Sequence, residues 1–120
     1  LNQGIYYARY SFDNETSADL FQVDDQPGAG HPFLSKHNEK LHLVWKGFNG
    51  RETLLNLITS EDDGATWSEP TTLLKTDKGS DHPLLIQNSD SLFLSWHSDE
   101  FGYVLLDVRE NTRRLSNNEN

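Results

Sequence analysis

One pattern of residues occurs twice in the chain, with its two copies 51 residues apart. The tetrapeptide that begins at His31 is echoed by one that begins at His82, and an apolar segment ending at Trp45 is echoed by one ending at Trp96. Because several matches share a single register, they predict two structurally equivalent units. The positions expected to be equivalent are His31, Pro32 and Trp45 in the first copy and His82, Pro83 and Trp96 in the second.

Both copies contain a segment with the alternating pattern of a β-strand. Apolar residues alternate along residues 41–45 and again along residues 92–96, which is typical of strands with one buried face. A second correspondence, at 49 residues, relates residues 5–11 to residues 54–60, so a turn in the earlier copy has lost two residues. A period of about 50 residues with short strands is typical of a β-propeller, whose blades are antiparallel sheets of about four strands.

The repeat predicts an all-β chain with about two propeller blades in residues 1–109. The repeat units span about residues 4–47 and 53–98, and a further strand is expected at about 102–109. Strands are predicted in three groups: two before about residue 25, four from about 33 to 74, and three from about 84 to 109. Residues 110–120, rich in Asn, Arg and Glu, are expected to form a flexible tail.

The composition excludes several classes of partner and site. The chain has 19 Asp and Glu against 10 Lys and Arg, a net charge of -9, and such a surface repels phosphate backbones, so nucleic acid is not an expected partner. Cysteine is absent, which excludes disulfides and thiolate metal ligands. No apolar run approaches the ~20 residues that a membrane-spanning helix needs, so no membrane span is predicted.

Two blades are too few to close a propeller, which usually has about four to eight. The chain opens on Leu1 within an apparent strand and contains no methionine, so we expect it to be a portion of a longer protein. The ring would then be completed by further blades of that parent chain. The alternative is assembly from several copies, three of which would make six blades.

The most specific local motif occupies residues 60–67, which read Ser-Glu-Asp-Asp-Gly-Ala-Thr-Trp. Ser60 and Asp62 have short acceptor side chains that can bond backbone N–H groups in a turn, and Gly64 can adopt a positive φ without a Cβ clash. Trp67 supplies a large apolar side chain just after the turn, where it can pack beneath the hairpin. The segment therefore predicts a hairpin turn held from within.

This motif resembles the Asp-box, or bacterial neuraminidase repeat, of sialidases and related propellers. It matches Ser-x-Asp-x-Gly-x-Thr-Trp at every defined position, and the order of His-Pro strand start, Trp-ending strand and Asp-box turn extends the resemblance over residues 4 to about 108. The matching positions are Ser60, Asp62, Gly64, Thr66 and Trp67. The earlier copy keeps Ser11 and Asp13 but lacks the Gly and Trp, so it is assigned as a degenerate box.

Three acidic residues at 61–63 leave two interpretations of this motif open. Asp62 or Asp63 could act as a catalytic acid or metal ligand, or the segment could be a structural turn. The resemblance favours the turn, because in the family the box lies at the blade periphery, away from the substrate pocket.

The resemblance also implies which catalytic groups to look for. Sialidases use an arginine cluster that binds the substrate carboxylate, a tyrosine nucleophile assisted by a glutamate, and an aspartate acid/base. Neither Tyr103 nor any arginine of this chain lies in a context that matches those motifs, so the catalytic residues stay unknown and catalysis by this chain alone is not expected. The arginines are Arg9, Arg51, Arg109, Arg113 and Arg114.

The histidines and tryptophans have a structural and a ligand-binding interpretation. His31 and His82 are expected to play the same structural role in both copies, such as a hydrogen bond to a neighbouring strand, with a ligand role as the alternative. His37, His42 and His97 lack the three or four convergent ligands that a zinc site needs, so neither metal nor cofactor is predicted. Trp45 and Trp96 are expected in the core, although either could instead stack on a sugar.

Three functional classes follow from the resemblance. The chain is expected to be a portion of a sialidase-like propeller protein, an exo-sialidase or related glycoside hydrolase that acts on or binds glycans. The alternatives are a non-catalytic propeller that binds glycan or protein, and a structural or assembly module. Location in a secreted or periplasmic protein is implied by the resemblance alone.

Overall fold

The computed structural model describes residues 4–11, 16–17 and 20–109. The described residues form eleven β-strands, and every pairing between them is antiparallel. The strands are β1 (Ile5–Tyr7), β2 (Tyr10–Ser11), β3 (Thr16–Ser17), β4 (Phe21–Asp24), β5 (Gly30–His37), β6 (Lys40–Phe48), β7 (Thr53–Ser60), β8 (Thr71–Thr76), β9 (Leu84–Gln87), β10 (Leu92–Ser98) and β11 (Gly102–Asp107).

Three sheets follow one another along the chain. The first sheet pairs β1 with β4, and a separate short hairpin pairs β2 with β3. The second sheet has four strands in the order β5-β6-β7-β8, and the third has three in the order β9-β10-β11. Because neighbours in each of these larger sheets are consecutive in sequence, both are simple antiparallel meanders.

Turn residues set the register of the second sheet. His37 pairs with Lys40 across a two-residue turn, in which Asn38 and Glu39 have φ values of 51° and 66°. Positive φ at both central positions matches a type I′ turn, whose twist suits the flanking strands of a hairpin. The alternation of residues 41–45 then places Leu43 and Trp45 on one face of the sheet and Val44 on the other.

The core has two parts, one on each face of the second sheet. The first core lies between the second and third sheets and consists of Val44, Leu55, Leu57, Leu73, Leu85, Leu92, Leu94, Trp96 and Val108. The second core lies between the first and second sheets and consists of Ile5, Leu43, Trp45 and Ile58, with Val23, Ala29 and Trp67 packed against it. Burial of these apolar side chains is the main contribution that holds the three sheets together.

The 51-residue repeat is retained in the strand pairing. Phe33 pairs with Val44 in the second sheet, and their equivalents Leu84 and Ser95 pair in the third. Trp45 and Trp96 lie on inner strands of their sheets and are 1% and 2% exposed. Each tryptophan belongs to a core that it shares with the preceding sheet. Trp45 lies in the core that contains Ile5, and Trp96 lies in the core that contains Val44.

The predicted all-β class with antiparallel sheets is confirmed. The prediction of two strands before residue 25 is wrong in detail, because the described residues form four short strands there. β1 pairs with β4 only over Ile5–Tyr7, and the chain then leaves that ladder, so that β2 pairs with β3 instead. The predicted tail at 110–120 lies outside the described residues.

Candidate functional site

The turn after β7 is held by hydrogen bonds among its own side chains and backbone. The Ser60 Oγ accepts a bond from the backbone N–H of Gly64 at 2.8 Å and donates one to Asp62 Oδ1 at 2.8 Å. Asp62 also accepts bonds from the backbone N–H of Thr66 at 2.8 Å and from the Thr66 hydroxyl at 2.6 Å. Both carboxylate oxygens of Asp62 are therefore engaged inside the turn.

These donors fix the protonation state of Asp62. The Thr66 hydroxyl, then its backbone N–H and the Ser60 hydroxyl, lower the pKa of Asp62 to about 2. A carboxyl with this pKa is ionised at neutral pH and holds no proton to donate there, whereas an efficient general acid has a pKa near the working pH. The geometry therefore favours the structural interpretation of Asp62 over the catalytic one.

The same turn contacts the first sheet. The Tyr7 hydroxyl and the Arg9 guanidinium donate hydrogen bonds to the Asp63 carbonyl oxygen at 3.3 and 3.1 Å. Trp67 meets Tyr7 edge to face, with ring centroids 5.1 Å apart and planes at 73°. The turn thus joins the second sheet to the first as well as closing its own hairpin.

A pair of stacked histidines lies at the opposite end of the second sheet. The rings of His31 and His82 have centroids 3.5 Å apart and planes 14° from parallel. His31 is the second residue of β5 and has a φ of 54°, and His82 precedes β9. Nearby, the Lys46 ammonium donates a hydrogen bond to the Ser80 carbonyl oxygen at 3.2 Å, which holds this cation beside the segment that leads into His82.

The third sheet extends this group of side chains. Asp81 accepts the Trp96 indole N–H through its carbonyl oxygen at 2.9 Å, and its backbone N–H bonds the His97 carbonyl oxygen at 2.9 Å. The His97 ring lies 3.9 Å from the Asp81 carboxylate, measured from Nδ1 to Oδ2, and 4.5 Å from the Tyr103 ring between centroids. We refer to His31, Lys46, Asp81, His82 and His97 as the histidine face.

Lys46 supplies a fixed positive charge at this face. Desolvation, followed by the nearby charges of His82 and Lys46, lowers the pKa of His31. A lowered pKa keeps the His31 ring uncharged at neutral pH, so the cation beside the histidine pair is the Lys46 ammonium. Asp81 adds a carboxylate beside His97, and an anionic ligand would therefore be attracted to the Lys46 part of the face.

The other residues singled out from the sequence occupy different places. Trp45 and Trp96 are buried, and the Trp45 indole donates a 2.7 Å hydrogen bond to Asp24 Oδ2, so neither ring is free to stack on a sugar. Pro83 is fully buried, whereas Pro32 is exposed. The backbone of Ser11 lies in β2, and Asp13 lies outside the described residues.

The described arginines lie in three separate places and form no common site. Arg9 bonds the Asp63 carbonyl oxygen, Arg109 bonds the Asp90 carbonyl oxygen at 3.3 Å, and Arg51 lies in the turn after β6. Arg113 and Arg114 fall in the part of the chain that is not described. The carboxylate-binding arginine cluster implied by the resemblance is therefore not present among these three residues.

The histidines do not form a metal site in the described ranges. Within residues 4–11, 16–17 and 20–109, no three His, Asp or Glu side chains are close enough together to hold a metal ion. His37 instead lies with Nε2 2.9 Å from the Asn88 carbonyl oxygen. Over the same ranges, no helix has both the length and the apolar character needed to cross a membrane.

Sequence reasoning missed the role of Lys46. The repeat contained a signal for it, because Lys46 and His97 occupy equivalent positions. Basic residues at equivalent positions in both copies could have indicated that this end of the sheets carries a site.

In three comparisons with known proteins, no family model, no curated protein and no solved structure matched the chain.

Proposed function

We propose that this chain is a portion of a sialidase-like Asp-box β-propeller and that it contributes a surface for binding acidic glycans. In this proposal the second sheet is a complete four-stranded blade. The first sheet contains the outer strands of the blade before it, and the third sheet contains three strands of the blade after it. The chain alone is proposed to bind rather than to hydrolyse.

The observation that carries the proposal is the turn at residues 60–67. Ser60, Asp62, Gly64 and Thr66 are joined by the bonds that the sequence motif predicts, and Trp67 packs against the second core. The motif is specific in sequence, and the hydrogen bonds give each of its polar positions a physical function. The retained register between the second and third sheets supports the same architecture.

The histidine face is the proposed contact with the glycan. It lies at the end of the second sheet opposite the Asp-box turn, which agrees with a peripheral, structural turn and a separate binding end. The Lys46 ammonium, held by its bond to the Ser80 carbonyl oxygen, is the fixed positive charge of this face, and a carboxylate-bearing sugar would gain a charge-assisted hydrogen bond from it. The scattered arginines support binding without the catalytic apparatus of a sialidase.

A glycan array probed with the 120-residue chain tests this function. We expect retention of sialylated and other acidic glycans over neutral ones, with binding that weakens as salt is raised because the attraction is electrostatic. Lys46→Ala should weaken binding about tenfold, the loss expected for one charge-assisted hydrogen bond. Lys40→Ala is the matched control, because Lys40 is an exposed lysine at the opposite end of the sheet.

Two outcomes would count against the proposal. The first is equal retention of acidic and neutral glycans, and the second is equal weakening by the Lys46 and Lys40 variants. A parallel assay with a fluorogenic sialoside should give no release of the fluorophore above the rate of buffer alone. Turnover by the chain would refute the binding-only part of the proposal.

A further inference from the structure

On one face of the third sheet, the two outer strands present exposed apolar side chains. Tyr103 is 88% exposed and Leu105 is 64% exposed on β11. On β9, Leu84 and Ile86 are also exposed. Strand pairing places these side chains on one face, because Leu84 and Leu105 both pair with Ser95 and Ile86 pairs with Phe93. Large apolar side chains grouped in this way usually mark a surface that binds something.

The repeat identifies the same face in the second sheet. Val44 pairs with Leu57 there, as Ser95 pairs with Leu105 in the third sheet. Likewise Lys46 pairs with Leu55, as His97 pairs with Tyr103. Leu57 and Leu55 are therefore the equivalents of Leu105 and Tyr103, and Leu84 is the equivalent of Phe33.

The equivalent residues of the second sheet are covered by the third sheet of the same chain. Val44, Leu55 and Leu57 are fully or almost fully buried in the first core. What covers them is the opposite face of the third sheet, where the middle strand presents Leu92, Leu94 and Trp96. The exposed face of the third sheet therefore corresponds, position by position, to a face of the second sheet that packs against another sheet. We expect its partner to present the same kind of strand, with apolar residues at the positions of Leu92, Leu94 and Trp96.

We propose that the exposed face of the third sheet is the docking surface for one further sheet of the same repeat, joined to this chain and presenting a Leu-x-Leu-x-Trp strand. The inference rests on the repeat that underlies the proposed function, but not on glycan binding. Hydrophobic burial of Leu84, Tyr103 and Leu105 would drive docking. Asp107 is the charged residue of β11 on this face, and it lies at the end of the strand.

An extended chain tests the proposal with this protein's own sequence. Strand pairing makes Asp107 the equivalent of Thr59, so residues 1–107 can be followed by a second copy of residues 60–120. This copy supplies the Asp-box turn, a fourth strand for the third sheet, and a new sheet that presents Leu92, Leu94 and Trp96. We expect a monomer that unfolds in one cooperative transition. Its last sheet exposes the same face as the 120-residue chain, so the longer molecule should bind no more of a hydrophobic dye than that chain does.

The matched variants are Leu105→Ala in the first copy and Leu57→Ala. In the 120-residue chain, Leu105→Ala should shift the melting temperature by less than about 2 °C, because the side chain is exposed. In the extended chain the same change should lower it by about 5 °C or more, as loss of a buried leucine does in a domain of this size. Leu57→Ala should lower the melting temperature of both chains.

Three results would overturn the proposal. One is an extended chain that unfolds no more cooperatively than the original, and another is an equal effect of Leu105→Ala in both chains. The third is concentration-dependent dimerisation of the 120-residue chain that Leu105→Ala abolishes, which would make a second copy the occupant. Glycan binding is measured at the histidine face, so that proposal and this one can fail separately.

Discussion

The imidazole rings of His31 and His82 stack with their centroids 3.5 Å apart. At the other end of the same two strands, His37 Nε2 lies 2.9 Å from the Asn88 carbonyl oxygen, and these two residues are also separated by 51 positions. Equivalent residues of the repeat therefore meet at both ends of β5 and β9, so the two strands run side by side in the same direction. Neighbouring innermost strands around a propeller axis would have this relationship, which supports the proposed architecture.

A double-mutant cycle measures the histidine stack. We expect His31→Ala and His82→Ala each to lower the free energy of unfolding at pH 7.5, with a coupling energy of about 0.5 kcal/mol or more, because each change removes the partner of the other. Urea unfolding of the two single variants and the double variant gives this value. At a pH low enough to protonate both rings, their like charges should reduce the coupling. Additive effects at pH 7.5 would show that the contact contributes nothing.

The buried His42 should make folding sensitive to mild acid. Burial, followed by the positive charges of His37 and Lys40, lowers the pKa of His42 from 6.5 to about 4. The unfolded chain therefore binds more protons than the folded chain between these two values. The free energy of unfolding should be fully retained above about pH 6.5 and should fall by up to about 3 kcal/mol as the pH drops towards 4.

The control for this prediction comes from the repeat. Phe93 is the equivalent of His42, so His42→Phe replaces the titrating ring with the residue that the third sheet uses at that position. Urea unfolding between pH 7.5 and pH 4 should give a flatter pH profile for the variant than for the original chain. Profiles of equal slope would exclude His42 as the group responsible.

The strands were predictable from sequence where alternation and turn chemistry agree. Residues 41–45 and 92–96 alternate, and they lie in the inner strands β6 and β10. The burial of Trp45 and Trp96 follows from the same pattern, because each closes an apolar face. The first 25 residues were harder to predict, since their strands are only two to four residues long and such short segments carry little periodic signal.

The histidine face could be predicted only in part. The repeat marked His31 and His82 as equivalent, but equivalence alone does not say that two residues touch. Their stacking depends on how β5 and β9 pack, which is a tertiary relationship outside any local pattern. The bond from Arg9 to the Asp63 carbonyl oxygen is of the same kind, because it joins residues 54 positions apart.

Acid should weaken the turn at residues 60–67 through Asp62. Its hydrogen bonds lower the folded-state pKa from 3.8 to about 2, so the unfolded chain binds more protons between these values. This contribution to stability is present above about pH 3.8 and is lost as the pH falls through 2. Asp62→Asn should remove this part of the acid sensitivity, measured by urea unfolding from pH 5 to pH 2. Glu61→Gln is the matched control, and an unchanged profile for Asp62→Asn would contradict the prediction.

Gly64 and Gly50 allow backbone strain to be separated from a steric contact. Both have positive φ, 90° for Gly64 and 96° for Gly50, so an alanine at either position pays for an unfavourable backbone conformation. At Gly50 an added Cβ would meet nothing within 4 Å, and Gly50→Ala should cost about 1 kcal/mol. At Gly64 the Cβ would also come within 2.6 Å of the Tyr7 ring carbons.

Tyr7 cannot move aside without breaking its other contacts. Its ring packs edge to face on Trp67, and its hydroxyl bonds the Asp63 carbonyl oxygen. Gly64→Ala should therefore lower the free energy of unfolding by at least about 2 kcal/mol, since overpacking adds to the backbone strain. Adding Tyr7→Ala relieves the collision, so the double variant should lose less than the sum of its single changes. Equal destabilisation by Gly64→Ala and Gly50→Ala in urea unfolding would mean that the turn and the first sheet are not in contact in solution.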